Sequence, residues 1–188
     1  MSPARPRALL LLAALHLGAC VGNATGGADG AHASCVDYAS KGTAAASFSH
    51  DVLPIFQRSC NFRNCHGSDP TYSPAEGLDL GKGMLCADPL NSPCSADPMS
   101  SGDIAKVEER LVHAPSHRSA LELVTPGDPG ASWLMAKLDY ESFNDCARVK
   151  SQCKPKGCGQ PMPMNSPVLD QAERAAIAGW IKGGAKAD

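Results

Sequence analysis

Large aromatic side chains are scarce in this sequence: 2 Trp, 3 Tyr and 4 Phe among 188 residues. Rings alone cannot fill the core of a domain this long, so other bulk has to do it. A cationic surplus is also missing. Lys and Arg number 17 against 19 Asp and Glu, for a formal charge of -2. Nothing here offers the excess positive charge that neutralising nucleic-acid phosphates requires. No apolar run is long enough to cross a bilayer as a helix. Internal repeats are absent, and alternating strand-like patterns are few. Cysteine, glycine and proline are abundant, at 9, 18 and 15 residues, and apolar residues make up 43%. That apolar share excludes a wholly disordered chain. Nine cysteines suit an oxidising compartment better than a reducing cytosol. An odd total leaves at least one of them outside intramolecular pairing.

The N-terminus accounts for that odd cysteine. Arg5 and Arg7 precede an apolar stretch from Ala8 to Leu17, broken only by His16. Its length and flanks are those of a secretory signal. It ends in Leu17-Gly18-Ala19-Cys20, which resembles the lipobox of bacterial lipoproteins. There, small residues fit the peptidase and the cysteine thiol accepts the lipid. The resemblance implies a signal peptide over residues 1–19 and a lipidated Cys20 that anchors the chain to a membrane outside the cytoplasm. An ordinary signal peptide with a chance cysteine is the plainer alternative. Residues 20–46, rich in Gly, Ala, Ser and Thr, read as a flexible tether, and residues 47–188 as the globular head.

Helical periodicity marks four segments of the head. Asp51 to Arg58 puts Val52, Ile55 and Phe56 on one face, with Pro54 tolerated in the first turn. Asp103 to His113 aligns Ile104, Val107 and Leu111. Ala131 to Asp139 follows the Pro126-Gly127-Asp128-Pro129 turn and offers Trp133 or Leu134 with Leu138. The last segment is the clearest. Asp170 and Glu173 form a capping-box pattern, Ile177, Trp180 and Ile181 make an apolar face, and Gly183 stops the helix. The expected fold is mostly α: a small, loop-rich helical domain.

Chemistry concentrates after the first segment, in Cys60-Asn61-Phe62-Arg63-Asn64-Cys65-His66-Gly67. Two thiols followed directly by an imidazole form the arrangement that attaches haem covalently. Each thiol adds to one vinyl group, and the histidine ligates iron. Four residues separate the cysteines here instead of the usual two, so the added residues must bulge. A small-loop disulfide and a zinc site are other readings of the same residues, although no second Cys-x-x-Cys or Cys-His pair appears to complete a zinc site.

From Ser47 to Ala185 the chain resembles a class I-like, single-haem c-type cytochrome domain of secreted bacterial lipoproteins. The matching pieces are Val52-Leu53-Pro54-Ile55-Phe56, Cys65-His66-Gly67, Gly77-Leu78-Asp79-Leu80 and Pro126-Gly127-Asp128-Pro129. Ser132-Trp133-Leu134, Lys137-Leu138, Gly159-Gln160-Pro161-Met162-Pro163 and Ile177 through Ala185 follow in order. The resemblance implies a cytochrome c-like fold around haem c, with Cys60 and Cys65 as attachment points and His66 and Met162 as axial ligands. It also implies that the C-terminal helix crosses the N-terminal one. Met164 is the runner-up sulfur ligand. His113 and His117 could in principle give bis-histidine ligation, but they lie on a polar stretch that reads as solvent-exposed.

The remaining cysteines, Cys35, Cys86, Cys94, Cys146, Cys153 and Cys158, suit three disulfides. Cys86–Cys94, Cys146–Cys153 and Cys35–Cys158 are the expected pairs, among fifteen possible connectivities. Lys150, Lys154 and Lys156 form a modest basic cluster that could steer an acidic redox partner, or simply be a solvated loop. The implied function is a lipid-anchored extracytoplasmic electron carrier serving a redox protein partner, not an enzyme. No catalytic triad, phosphate-cradling loop or carboxylate pair stands out. The alternatives are a disulfide-rich lipoprotein binding or structural module without haem, and a haem enzyme with an open iron site.

Overall fold

Ser47 starts the first helix. Its hydroxyl accepts the His50 N–H at 3.0 Å, satisfying an amide that no preceding carbonyl can reach. A π-helical turn, Phe48–Val52, runs straight into α1, Leu53–Ser59, where Pro54 occupies the first turn at no hydrogen-bond cost. The computed structural model describes residues 45–62, 65–68, 71, 73–85, 95–96, 98–139, 147–164 and 167–188. All of these fall within one unit of the chain, Ala31–Asp188. The expected signal peptide, Cys20, Cys35, Cys86, Cys94, Cys146 and the tether up to residue 44 lie outside the described residues.

The chain continues through a 3-10 turn, Ala75–Gly77, and a two-residue strand β1, Met84–Leu85, antiparallel to β2, Ser95–Ala96. Helix α2 spans Ser101–Leu111. A 3-10 turn, Pro129–Ala131, leads into α3, Trp133–Leu138. Helix α4 covers Ala147–Ser151 and α5 covers Gln171–Lys182. Helices dominate, so the fold is mostly α. Among the described residues no helix is long and apolar enough to cross a membrane.

The core forms where the first and last helices meet. Phe48 stacks on Trp180 with ring centroids 4.8 Å apart, and Phe56 meets Phe48 edge-on at 6.2 Å. Val52, Ile55, Ile177 and Ile181 close around them, all buried. Each such side chain contributes about 1.5–3 kcal/mol through burial. The four-residue periodicity in both segments thus serves one interface. Three polar devices support it, one within α5 and two between the C-terminal segment and the first helix. The Asp170 carboxylate accepts the Glu173 N–H at 2.8 Å while the Glu173 carboxylate accepts the Asp170 N–H at 2.9 Å, completing the capping box. Arg58 pairs with Glu173 across the helices. The Asp188 carboxylate accepts from the Ser49 N–H and the Ser47 hydroxyl, each at 3.1 Å, tying the chain's end to its first helix.

Helix α2 begins earlier than its periodicity indicates, because Ser100 is the cap: its hydroxyl accepts the Asp103 N–H at 3.2 Å. It ends at Leu111, and His113 takes a left-handed φ of 55°, outside the helix. In α3 it is Trp133, Met135 and Leu138 that are buried. Trp133 and Val149 of α4 form a second, smaller cluster with Leu121 and Leu123.

One expectation is corrected here. Cys153 and Cys158 pair with each other, with Cα atoms 5.0 Å apart, well within disulfide reach. The pairs Cys146–Cys153 and Cys35–Cys158 are therefore excluded. The reason is local. Cys153 lies two residues beyond the end of α4, and the chain turns back through Gly157 at φ 78°, bringing Cys158 beside it.

Candidate functional site

Helix α1 delivers Cys60 at its C-terminal end, where the Cys60 and Asn61 N–H groups both donate to the Phe56 carbonyl at 2.8 and 2.9 Å. Hydrogen bonds close the segment that follows. Phe62 O accepts from Cys65 N–H at 2.8 Å and Gly67 N–H at 3.0 Å, and Cys60 O accepts from His66 N–H at 3.2 Å. That last bond holds the second cysteine and the histidine against the first despite the four intervening residues. Both sulfurs are thiols and not a disulfide. Burial, reinforced by the neighbouring Cys65, pushes the Cys60 thiol from 9.0 up to about 12, so it is protonated at neutral pH.

Asn61 anchors the loop from beneath. It is buried, and its side-chain amide donates to Leu80 O at 2.7 Å and Lys82 O at 3.3 Å. Two glycines let the backbone pack this closely. A Cβ on Gly67 would lie 2.4 Å from Asn61 O, and one on Gly83 would lie 2.3 Å from it. No side chain fits at either place.

His66 is fixed from the same segment. Its carbonyl accepts the Leu80 N–H at 2.7 Å, and its Nδ1 lies 3.0 Å from Leu78 O. A carbonyl only accepts, so Nδ1 carries the proton and Nε2 keeps its lone pair. Burial lowers the His66 pKa, outweighing the hydrogen bond to Leu78 that acts the other way. The ring is therefore neutral, the form that ligates a metal.

Cys60, Cys65 and His66 line one cavity of about 580 Å³, and Met162 and Met164 line it too. Phe56, Leu80, Leu111, Leu134 and Leu138 supply much of its apolar wall. Met162 is held by its N–H, which donates to Lys137 O at 2.7 Å, and its side chain packs on the main core. Met164 is 49% exposed. Met162 is therefore the more enclosed of the two methionines. His117 reaches the cavity edge but is exposed and pairs with Glu76 at 3.6 Å. His113 is exposed and bonds Glu122 at 3.0 Å. Neither is set inside the cavity.

Sequence reasoning missed Lys137, Asn61, Arg118 and Glu76. Lys137 projects from α3, and its ammonium donates to Cys158 O at 3.1 Å and to Gln160 O. Burial, with Arg118 nearby, lowers its pKa to about 8, which leaves it mostly protonated at pH 7. Arg118 and Glu76 form an ion pair at the cavity edge, and Arg118 also donates to Lys156 O at 3.2 Å. The lysine cluster is part of this wall's support: Lys154 donates to Ser116 O at 2.6 Å, while Lys150 and Lys156 are exposed. Only Lys137 carried a local hint, in the Lys137-Leu138 piece. Among the described residues, no group of three or more His, Cys, Asp or Glu side chains converges to hold a metal ion by protein ligands alone.

Compared with known families, with curated proteins and with solved structures, the chain matches none. The site therefore speaks for itself.

Proposed function

We propose that this chain is a lipid-anchored, extracytoplasmic c-type cytochrome that carries one covalently attached haem and passes single electrons to and from a redox protein. The observation that carries the proposal is the meeting of Cys60, Cys65, His66 and Met162 on one largely apolar cavity, although Met162 lies far along the chain from the others. The donor set fits the group. Two thiols can each add to a vinyl, a neutral imidazole presents Nε2, and a methionine lines another part of the wall. The cavity's volume falls in the range of about 300–1,000 Å³ usual for cofactor sites. It also answers the shortage of aromatic bulk in the sequence.

Haem iron, when bound, supplies one-electron exchange between its ferric and ferrous states. The chain's own residues do the rest. The Leu78 carbonyl orients His66 and fixes its tautomer, so the ring does not reorganise as the charge changes. Met162 offers a soft ligand that favours the ferrous state and raises the potential. Leu80, Leu111 and Leu138 exclude water from the buried side, which acts in the same direction. Cys20, if lipidated, and the tether would hold this head at a membrane surface.

The test is expression with a c-type maturation system, followed by a denaturing gel stained for haem. Haem should stay with the band. Met162→Ala should keep the haem and lose the absorption band of methionine-ligated ferric iron. A haem-free band in the wild type would refute the proposal.

A further inference from the structure

Lys137 grips the Met162 segment in two ways. Its carbonyl accepts the Met162 N–H at 2.7 Å. Its ammonium reaches back over the same segment to Cys158 O at 3.1 Å and to Gln160 O. Gly159, between those two carbonyls, has a left-handed φ of 73°, and a Cβ there would come within 3.3 Å of the Lys137 ammonium. The ammonium itself lies 5.8 Å from the centre of the Trp133 ring on the same helix. Upstream, the segment is pinned by the Cys153–Cys158 disulfide. One residue of α3 thus bonds the backbone at positions 158, 160 and 162, leaving little freedom to the residues that lead into Met162.

We propose that Lys137 is the positioning residue of the methionine ligand: it sets the affinity of the Met162 thioether for iron without touching iron itself. The proposal rests on the haem reading above. A thioether is a weak ligand, and water or a small added base competes with it. The competition is decided by how much entropy the methionine segment loses when it binds. A segment already fixed by Lys137 loses little. Replacing the ammonium with an apolar end leaves two carbonyls without their charged donor and frees the segment to swing. The lysine's own carbonyl bond to Met162 survives such a change, so the effect falls on affinity and leaves the fold standing.

The experiment compares the haem-loaded wild type with Lys137→Met, which keeps an unbranched side chain and removes the charge. The readouts are covalent haem on a denaturing gel, the melting temperature, the methionine-ligation band, and titration of the ferric protein with imidazole. Lys137→Met should retain covalent haem while weakening the band. Imidazole should bind roughly tenfold or more tightly than to wild type, the least expected when the charge-assisted hydrogen bonds to Cys158 O and Gln160 O are both lost. Gly159→Ala is the second variant. It leaves the lysine in place but crowds its ammonium and strains the left-handed backbone between the two carbonyls the lysine holds, so it loosens the same segment and should shift imidazole affinity in the same direction. Wild-type imidazole affinity and an undiminished band in both variants would overturn the positioning role while leaving the haem reading intact. Absence of covalent haem from the wild type would instead overturn both.

Discussion

Gly67 follows His66 directly, and its replacement by alanine tests how the attachment loop is built. Its φ is not in the left-handed region, so alanine suffers no backbone penalty there. The penalty is purely steric. The new Cβ would lie 2.4 Å from Asn61 O and 2.9 Å from Asn61 C. Ordinary contact begins near 3.4 Å, and the obstructing atoms are backbone, so no rotamer change relieves the clash. The Cys60–His66 loop must move by about 1 Å, which disturbs the buried bond from Asn61 to Leu80. Overpacking of this kind costs about 1–3 kcal/mol, partly offset by about 0.4–1 kcal/mol from the stiffer unfolded chain. The net loss is about 1–2 kcal/mol, and at 2–4 °C per kcal/mol the melting temperature should fall by roughly 2–8 °C. Gly127→Ala is the matched control. Its Cβ would meet nothing within 4 Å, but its φ of 81° is left-handed, so it loses about 1–2 kcal/mol by strain alone. Both variants should melt earlier, but only Gly67→Ala should lower the yield of covalent haem per polypeptide, measured by haem absorbance against protein mass. Equal yields in the two variants at similar melting temperatures would refute the idea that the Asn61–Gly67 contact sets the spacing of the two thiols and the histidine.

In haem-free protein carrying Cys65→Ser, Cys60 should resist alkylation at pH 8. Burial is the larger of the two causes that raise its thiol, and it remains when the Cys65 contribution is removed, so alkylation should be markedly slower than in denatured chain; equal rates measured by mass spectrometry contradict the burial. The sign for stability follows. A thiol with its folded pKa raised favours the fold below the unfolded value, and that contribution is lost as pH rises from about 9 towards about 12, which alkaline denaturation of the haem-free form should reveal. Removing the disulfide in a Cys153→Ser, Cys158→Ser double variant should cost about 2 kcal/mol for so short a loop, read by denaturant titration, and an unchanged midpoint would mean the turn is held by other contacts. Asp170→Ala should cost about 1 kcal/mol through loss of the cap on α5 and leave the haem spectrum untouched; a spectral change would show that α5 does more than pack.

The mostly α class and the ends of α5 were legible because their signals are local. Asp170, Glu173 and Gly183 act within a turn of their own positions, so neighbouring residues suffice to read them. The α1–α5 packing was also partly legible, since Val52, Ile55, Phe56, Ile177, Trp180 and Ile181 are spaced for burial. Phe48 was not, although its ring joins Phe56 to Trp180, because it sits in a π-helical turn whose period differs from that of an α-helix. Helix α4 is five residues long, too short to show a period. The pairing of Cys153 with Cys158 depends on a turn through Gly157 that composition does not reveal. The two grips of Lys137 on the Met162 segment are tertiary, and charged residues on a helix usually read as solvated.

The attachment loop shows most plainly where hydropathy misleads. Within Cys60–Cys65 the polar Asn61 is buried and the aromatic Phe62 is 46% exposed. A reading by side-chain preference would reverse them. The backbone explains the inversion. Leu80 O and Lys82 O approach the start of the loop and need a donor, and the Asn61 amide supplies it to both. A leucine there would remove the donor that both carbonyls share, and a lost buried hydrogen bond costs more than the leucine's own burial returns. Phe62, the next residue, is turned outward so that its carbonyl can accept from Cys65 and Gly67 and close the loop. The four-residue spacing is thus accommodated by one inward amide and one outward ring. The closing bond from His66 to Cys60 then brings the second cysteine and the histidine back to the first.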